Sequence, residues 1–341
     1  MAERWLTALR ADPRPWLLDP GRPAVRQFAL QWLLDRPADD PDVLAARAAA
    51  ATLPPVAPIL DAQDPAGWWV KPGPGYAPKY TGTVWSLIVL EQLGADPSDP
   101  RIAAACDYIL AHTQAASGGF GCSGTHRADR PPPPSSVLHC LNGNLLRSLI
   151  AFGHLGDPRV AAAVDWQARS VLGGPRAPRC YASGTSGPAF ACGVNEELPC
   201  AWGAVKALRG LAAIPPAERS PEVRAAIEAG VSLLLSVDPA EARYPAGWDG
   251  AISRAWFKLG FPSGYVADIL QVGEVLAELG QAGDPRLARL VDRVLAKQVE
   301  HGRWRNEYPY RGKLWSDLDT AGEPSPWVTL RACRFLRAAL G

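Results

Sequence analysis

The sequence predicts an all-α protein: a toroid or barrel of five to six helical hairpins, (α/α)5-6, with long loops over one mouth. Two observations carry that prediction. An apolar helix, a short turn and a one-faced helix recur in that order along the chain, and a Gln-x3-Gly-x-aromatic spacing closes several of these units. No strand-rich segment competes, and 48% hydrophobic content in 341 residues supplies a large core.

The clearest unit is 82–120. Its first helix, about 82–93, is apolar on nearly every side, as a helix buried on two faces should be. "LGADPSDP" supplies a glycine stop and then Ser98 or Asp99 as cap before Pro100. The second helix carries Ile102, Ala105, Cys106, Ile109 and Leu110 as a single stripe. Segments 141–167, 201–236 and 265–298 repeat the order with "LGDPRV", "SPEVR" and "GDPRL" at their turns. Residues 25–63 form a looser copy. The last helix, 325–340, lacks a downstream partner and is expected to pair with the first helical stretch, around 3–10, closing a ring. An inner wall of all-apolar helices favours closure over an open solenoid, whose concave face would be polar. The expected organisation is a single domain, 1–341, with 1–63 as the looser N-terminal part and 64–341 as the main repeats.

The net charge of +1 gives no field that would favour nucleic acid or an anionic membrane. No basic segment precedes an apolar run at the N-terminus, and no run of about 18 apolar residues could span a bilayer. The expectation is a soluble, cytoplasmic protein with no nucleic-acid partner, leaving peripheral membrane contact open.

The repeated spacing falls at Gln63–Gly67–Trp69, Gln114–Gly118–Phe120 and Gln298–Gly302–Trp304. Physically it reads as a fastener: glycine ends the helix, the aromatic packs back over the last turn, and glutamine bonds exposed backbone. Recurring at outer-helix ends, the spacing resembles the motif of squalene and other terpene cyclases. It is also similar to the repeats of protein prenyltransferase β subunits, where "GGF" follows the outer helix as at Gly118–Phe120. The resemblance covers about 40–340 and implies an α/α toroid with a central cavity for an isoprenoid-like or other apolar small molecule.

Function is expected where the inner helices begin, under the long loops at 118–140, 173–200 and 244–264. Cys140 and Cys200 stand at inner-helix starts, where the helix end favours a thiolate. Cys122, Cys180 and Cys192 lie in the adjoining loops, so five of seven cysteines fall between 122 and 200. Prenyltransferase β subunits hold zinc at such positions with Asp, Cys and His. This chain lacks their Asp-x-Cys pair, and it also lacks the Cys-His-Gly motif of the lantibiotic cyclases. From the residues alone the expectation is a zinc site of Cys140, Cys192 and Cys200 with Cys180 as fourth ligand and His139 or Asp268 in reserve; buried or unpaired thiols are the alternative.

Asp268 in "GYVADIL" is placed one turn inside an inner helix, as an acid–base or metal-facing carboxylate, or as a hydrogen-bonded structural one. Tyr80, His139, Trp202, Tyr265 and Trp327 are expected to line the cavity rim. "DLDT" at Asp317, Asp319 and Thr320 looks like a degraded version of the Asp-x-Asp-Asp acid of class II terpene cyclases. Three functions follow: a zinc-thiolate enzyme on an apolar small molecule, a non-catalytic ring binding a lipid or protein, and a metal-free acid-initiated cyclase using Asp317 and Asp319.

Overall fold

The computed structural model describes residues 3–122, 130–173, 186–247 and 249–341. Six of its helices make an inner ring: α3 (Pro23–Leu34), α6 (Thr83–Gln92), α8 (His139–Ala151), α10 (Ala201–Ala212), α12 (Ile269–Glu278) and α14 (Pro326–Leu340). Outside them lie α1 (Arg4–Thr7), α2 (Arg14–Leu17), α4 (Pro41–Ala50), α5 (Val56–Asp61), α7 (Pro100–His112), α9 (Pro158–Leu172), α11 (Pro221–Leu234) and α13 (Ala288–Ala296). The fold is all-α, and the one sheet among the described residues is a two-stranded pair, β1 (Ser186–Gly187) with β2 (Ala191–Cys192).

The inner helices touch in sequence, α6 on α8, α8 on α10, α10 on α12, α12 on α14 and α14 on α3. The remaining gap is bridged by Gln27 of α3, whose Nε2 donates to the Gly94 carbonyl after α6 at 2.9 Å. Chain ends meet as the lone last helix required: α1 packs on α14, and the Trp5 N–H donates to the Gly341 carbonyl. The ring is therefore closed by its own termini.

Local chemistry sets each hairpin. Outer helices α4, α7, α9 and α11 all begin with proline at the first helical position, behind a cap of Asp40, Asp99, Asp157 or Ser220. Nine of the ten residues of α6 are buried, which explains its apolarity all round. α8 and α10 approach backbone to backbone at two glycines. A Cβ on Gly143 would stand 2.3 Å from the Lys206 carbonyl oxygen, and one on Gly210 2.6 Å from that of Gly143.

The Gln–Gly–aromatic device fastens three elements, one more than its sequence implies. Gln63 donates to the Arg101 carbonyl at 2.9 Å and Gln114 to that of Arg159 at 2.6 Å, each reaching the first turn of the next outer helix. Gln298 accepts from the Arg10 N–H at 2.9 Å and so joins the two ends of the chain. The backbone N–H groups of Trp69, Phe120 and Trp304 donate to Thr83, Asn142 and Thr329, all in the opening turns of inner helices. Gly302, at φ +66°, could not carry a side chain, since its Cβ would lie 2.1 Å from the Ala11 carbonyl oxygen.

One loop departs from expectation. Residues 259–265 do not cap the ring but enter it. Ser263 exchanges two hydrogen bonds with Gln92 of α6, Asn144 of α8 donates to the Gly264 carbonyl, and Arg331 of α14 donates to that of Gly260. The expected single deep apolar cavity is divided by this plug.

Candidate functional site

The N-termini of α8 and α10 carry the cysteines. Close packing at Gly143, Gly203 and Gly210 sets Cys140, the second residue of α8, beside the start of α10. Cys200 is the N-cap of α10, its Sγ accepting the Gly203 N–H at 3.4 Å. Cys192 ends β2 and shares a thiol hydrogen bond with Cys200. That bond, against the opposing effect of burial and with help from the Val194 and Asn195 N–H groups, brings the Cys192 thiol down to about 6. The Cys200 thiol is correspondingly raised, by the same bond first and by burial second. Burial, then the nearby Cys192, pushes Cys140 up to about 12, while N–H groups at the start of α8 pull the other way. Each of the three sulfurs thus accepts backbone N–H groups.

The loop that presents Cys192 is held in unusual geometry. Ala189, Phe190, Glu196 and Glu197 all take positive φ, between 51° and 64°, without being glycine. Asn195 ties the loop down, accepting from the Gly247 N–H and donating to the Pro199 and Pro245 carbonyls. Among the described residues no group of three His, Cys, Asp or Glu side chains is disposed to hold a metal ion. Cys180 lies outside the described residues, and Cys122 is buried in the core.

Below the cysteines stands a residue that sequence reasoning missed. Lys206 of α10 is fully buried; its Nζ bonds Gln271 Oε1 and lies within electrostatic reach of Cys140 and Asp268. Burial first, and Arg209 next, bring its amine well below the ordinary lysine value. The available signal was a lysine inside the apolar run "AWGAVKALRGL".

Asp268 is not one turn inside α12 but its N-cap. Its Oδ1 accepts the Gln271 N–H and its Oδ2 the Gly260 N–H, both at 2.9 Å, while burial raises its pKa against the pull of Arg331. This is the structural alternative for the residue, and it anchors the plug. His139 is not at the rim either. It is 3% exposed, with Nε2 facing the Gly187 carbonyl at 3.2 Å and Nδ1 accepting from Gln167 at 2.8 Å. Burial lowers it to about 4, so both ring nitrogens are engaged in a neutral ring, and neither is free for a metal.

The expected aromatic rim separates into three groups. Tyr80 and Tyr265 join Trp85 and Tyr310 in one cluster, with ring centroids 4.9–6.3 Å apart. Trp202 packs on Trp256, 6.0 Å away, and Trp327 stacks on Phe261 at 4.6 Å in the middle of the ring. Spaces beside Asp268 and beside Tyr80 hold only about 10 Å³ each. Asp317 and Asp319 line a separate cavity of about 350 Å³ with Trp16, Arg22 and Arg303. Asp319, raised by burial, accepts from Asn306 at 2.6 Å, and Asp317 from the Gly312 N–H at 3.1 Å.

A cavity of about 550 Å³ opens at the other mouth, where the inner helices end. Its floor is the Phe261–Trp327 stack and its walls are charged. Arg147 pairs with Glu91 at 3.3 Å and Glu278 at 3.0 Å; Arg334 reaches Glu278 at 2.7 Å; Arg331 pairs with Glu274. Burial raises the Glu278 carboxyl, but Arg147, Arg334 and Arg209 outweigh it and hold it at about 2. A carboxylate depressed from 4.5 stabilises the fold fully above about pH 4.5 and loses that contribution as pH falls towards 2. We expect urea midpoints to fall across that window by the equivalent of roughly 3 kcal/mol, and the Glu278→Gln variant to lack that part of the slope. An unchanged acid limb in the variant would show that Glu278 is not the group responsible.

No protein-family model matches the chain, and no curated protein sequence does. Among solved structures, the type II terpene cyclase MstE from Scytonema matches at a TM-score of 0.34 and 13% identity, over 87% of this chain and 98% of that one. The MstE R337A variant in complex with geranylgeranyl dihydroxybenzoate gives 0.35 and 14%, over 87% and 97%. The likeness extends at most to the arrangement of helices and carries no activity. No described helix is long and apolar enough to cross a membrane.

Proposed function

We propose that the chain is a zinc-thiolate enzyme acting on an apolar small molecule, with Cys140, Cys192 and Cys200 as metal ligands and Cys180 as the fourth. The observation that supports it is that Cys140 and Cys200 open α8 and α10 at one mouth while Cys192 shares a hydrogen bond with Cys200, each sulfur accepting backbone N–H groups. Such N–H groups favour the deprotonated sulfur that a metal requires. The reading rests on donor chemistry rather than on a preformed metal geometry. Bound there, zinc would supply a Lewis acid or lower the pKa of a thiol or water placed on it.

The chain's own residues define the rest. Lys206 lies within electrostatic reach of Cys140, and its buried amine, when protonated, would offset part of the negative charge of ionised sulfurs. Asp268 fixes the plug and the first turn of α12, which carries Gln271, the partner of Lys206. The aromatic cluster of Tyr80, Trp85, Tyr265 and Tyr310 borders the same mouth and suits an apolar or cationic part of a substrate, such as an isoprenoid-like chain.

Cobalt reconstitution tests the ligand set. Metal-stripped protein titrated with Co²⁺ is expected to develop sulfur-to-cobalt charge-transfer absorption saturating near one equivalent. Cys140→Ser, Cys192→Ser and Cys200→Ser should each weaken or abolish it. Wild-type protein that shows no such band would overturn the metal assignment, and a Cys140→Ser variant with an unaltered spectrum would remove Cys140 from the set.

A further inference from the structure

The charged cavity at the opposite mouth has no part in the thiolate reading, and its charges do not balance. Five arginines line it: Arg47, Arg147, Arg209, Arg331 and Arg334. Three carboxylates, Glu91, Glu274 and Glu278, are taken up by Arg147, Arg331 and Arg334. Arg47 donates only to the neutral Gln27 amide, at 3.2 Å. Arg209, in the last turn of α10, has no hydrogen-bond or ion-pair partner among the described residues. Burial first, and the neighbouring Arg147 next, disfavour its charged form against the pull of Glu91, Glu274 and Glu278, and the half-buried guanidinium donates to none of these carboxylates.

The bland explanation is that an arginine near a helix end offsets the partial negative charge of the C-terminal carbonyls. That accounts for a cation at this mouth, yet Arg209 bonds none of those carbonyls. The one carbonyl bonded by a cavity arginine side chain at the end of α10 is that of Arg209 itself, which accepts from Arg147. A fork of N–H donors facing a space of about 550 Å³ lacks an acceptor of matching geometry.

We infer that this cavity binds a small oxyanion-bearing molecule, a phosphate or carboxylate compound, with Arg209 as its bidentate anchor. The surplus charge of Arg209 and Arg47 sets the sign of the ligand. The cavity volume admits a molecule well beyond a bare anion. Phe261 and Trp327 at the floor would meet its non-polar part.

Isothermal titration of the full-length protein with inorganic diphosphate and, separately, with citrate tests this. At least one is expected to bind with a dissociation constant below 1 mM, and which one distinguishes a phosphate from a carboxylate ligand. Arg209→Gln should weaken that binding at least tenfold with an unchanged melting temperature. Arg209→Lys keeps the charge near the helix end but loses the fork, and should also bind several-fold more weakly; it decides the matter if the glutamine variant does not fold. Failure of both anions to bind wild-type protein at millimolar concentration, or variants that bind as the wild type does, would overturn the inference.

Discussion

Replacing Arg147 by leucine is expected to destabilise the protein by about 3–5 kcal/mol, the cost of breaking a buried ion pair from one side. Arg147 lies on α8 and reaches Glu91 on α6 and Glu278 on α12; Glu278 also binds Arg334 on α14. Its side chain is 19% exposed, and those of the two glutamates 11% and 15%. Removing the arginine strands Glu91 without its partner and leaves Glu278 with Arg334 alone. Urea denaturation at neutral pH reads the loss directly. A change under about 1 kcal/mol, the range of solvent-exposed pairs, would mean that these charges are hydrated and do not clamp the helix ends.

Trp304→Ala should cost a similar amount, about 3–5 kcal/mol, for a different reason. The ring is fully buried, its Nε1 donates to the Val294 carbonyl at the end of α13 at 2.7 Å, and its backbone N–H holds Thr329 of α14. Truncation opens a cavity and removes the indole hydrogen bond from the Val294 carbonyl, which keeps only the Lys297 N–H at 3.2 Å. Stability is expected to fall in thermal and urea unfolding, while anion binding and metal content per folded molecule stay as in the wild type. A variant that melts normally but loses either ligand would show that this fastener shapes a site.

The ring was legible in the sequence because its determinants are local and repeated. Asp-Pro-Arg turns, one-faced outer helices and the apolar α6 each announce themselves within a dozen residues, and the unpaired final helix implied closure through α1. The partners of the fasteners were less legible: Gln114 bonds a carbonyl 45 residues away and Gln298 an amide 288 residues away. Asp268 was misplaced because "GYVADIL" is apolar on both sides of it, while the helix begins only at Ile269.

Cys140 and Cys200 were legible as residues at inner-helix starts, and their positions in α8 and α10 agree with that; the hydrogen bond of Cys192 to Cys200 was not legible. Lys206 showed only as a lysine within an apolar run, and the arginines of the opposite mouth gave no signal of their own. Arg147, Arg209 and Arg331 come from α8, α10 and α14, and each alone looks like the ordinary polar residue of a helix. Only ring closure brings them to one cavity, so their meaning is a property of the tertiary fold.

The central claim is a metal held by thiolates, and the metal content of the protein tests it most directly. The full chain should be purified without an affinity tag or chelator and analysed by elemental mass spectrometry. The account predicts close to one equivalent of zinc per chain, lost in Cys140→Ser and Cys200→Ser variants that remain folded. Metal-free wild-type protein that keeps its helical fold, with Cys140, Cys192 and Cys200 all reacting freely with a thiol reagent, would contradict it.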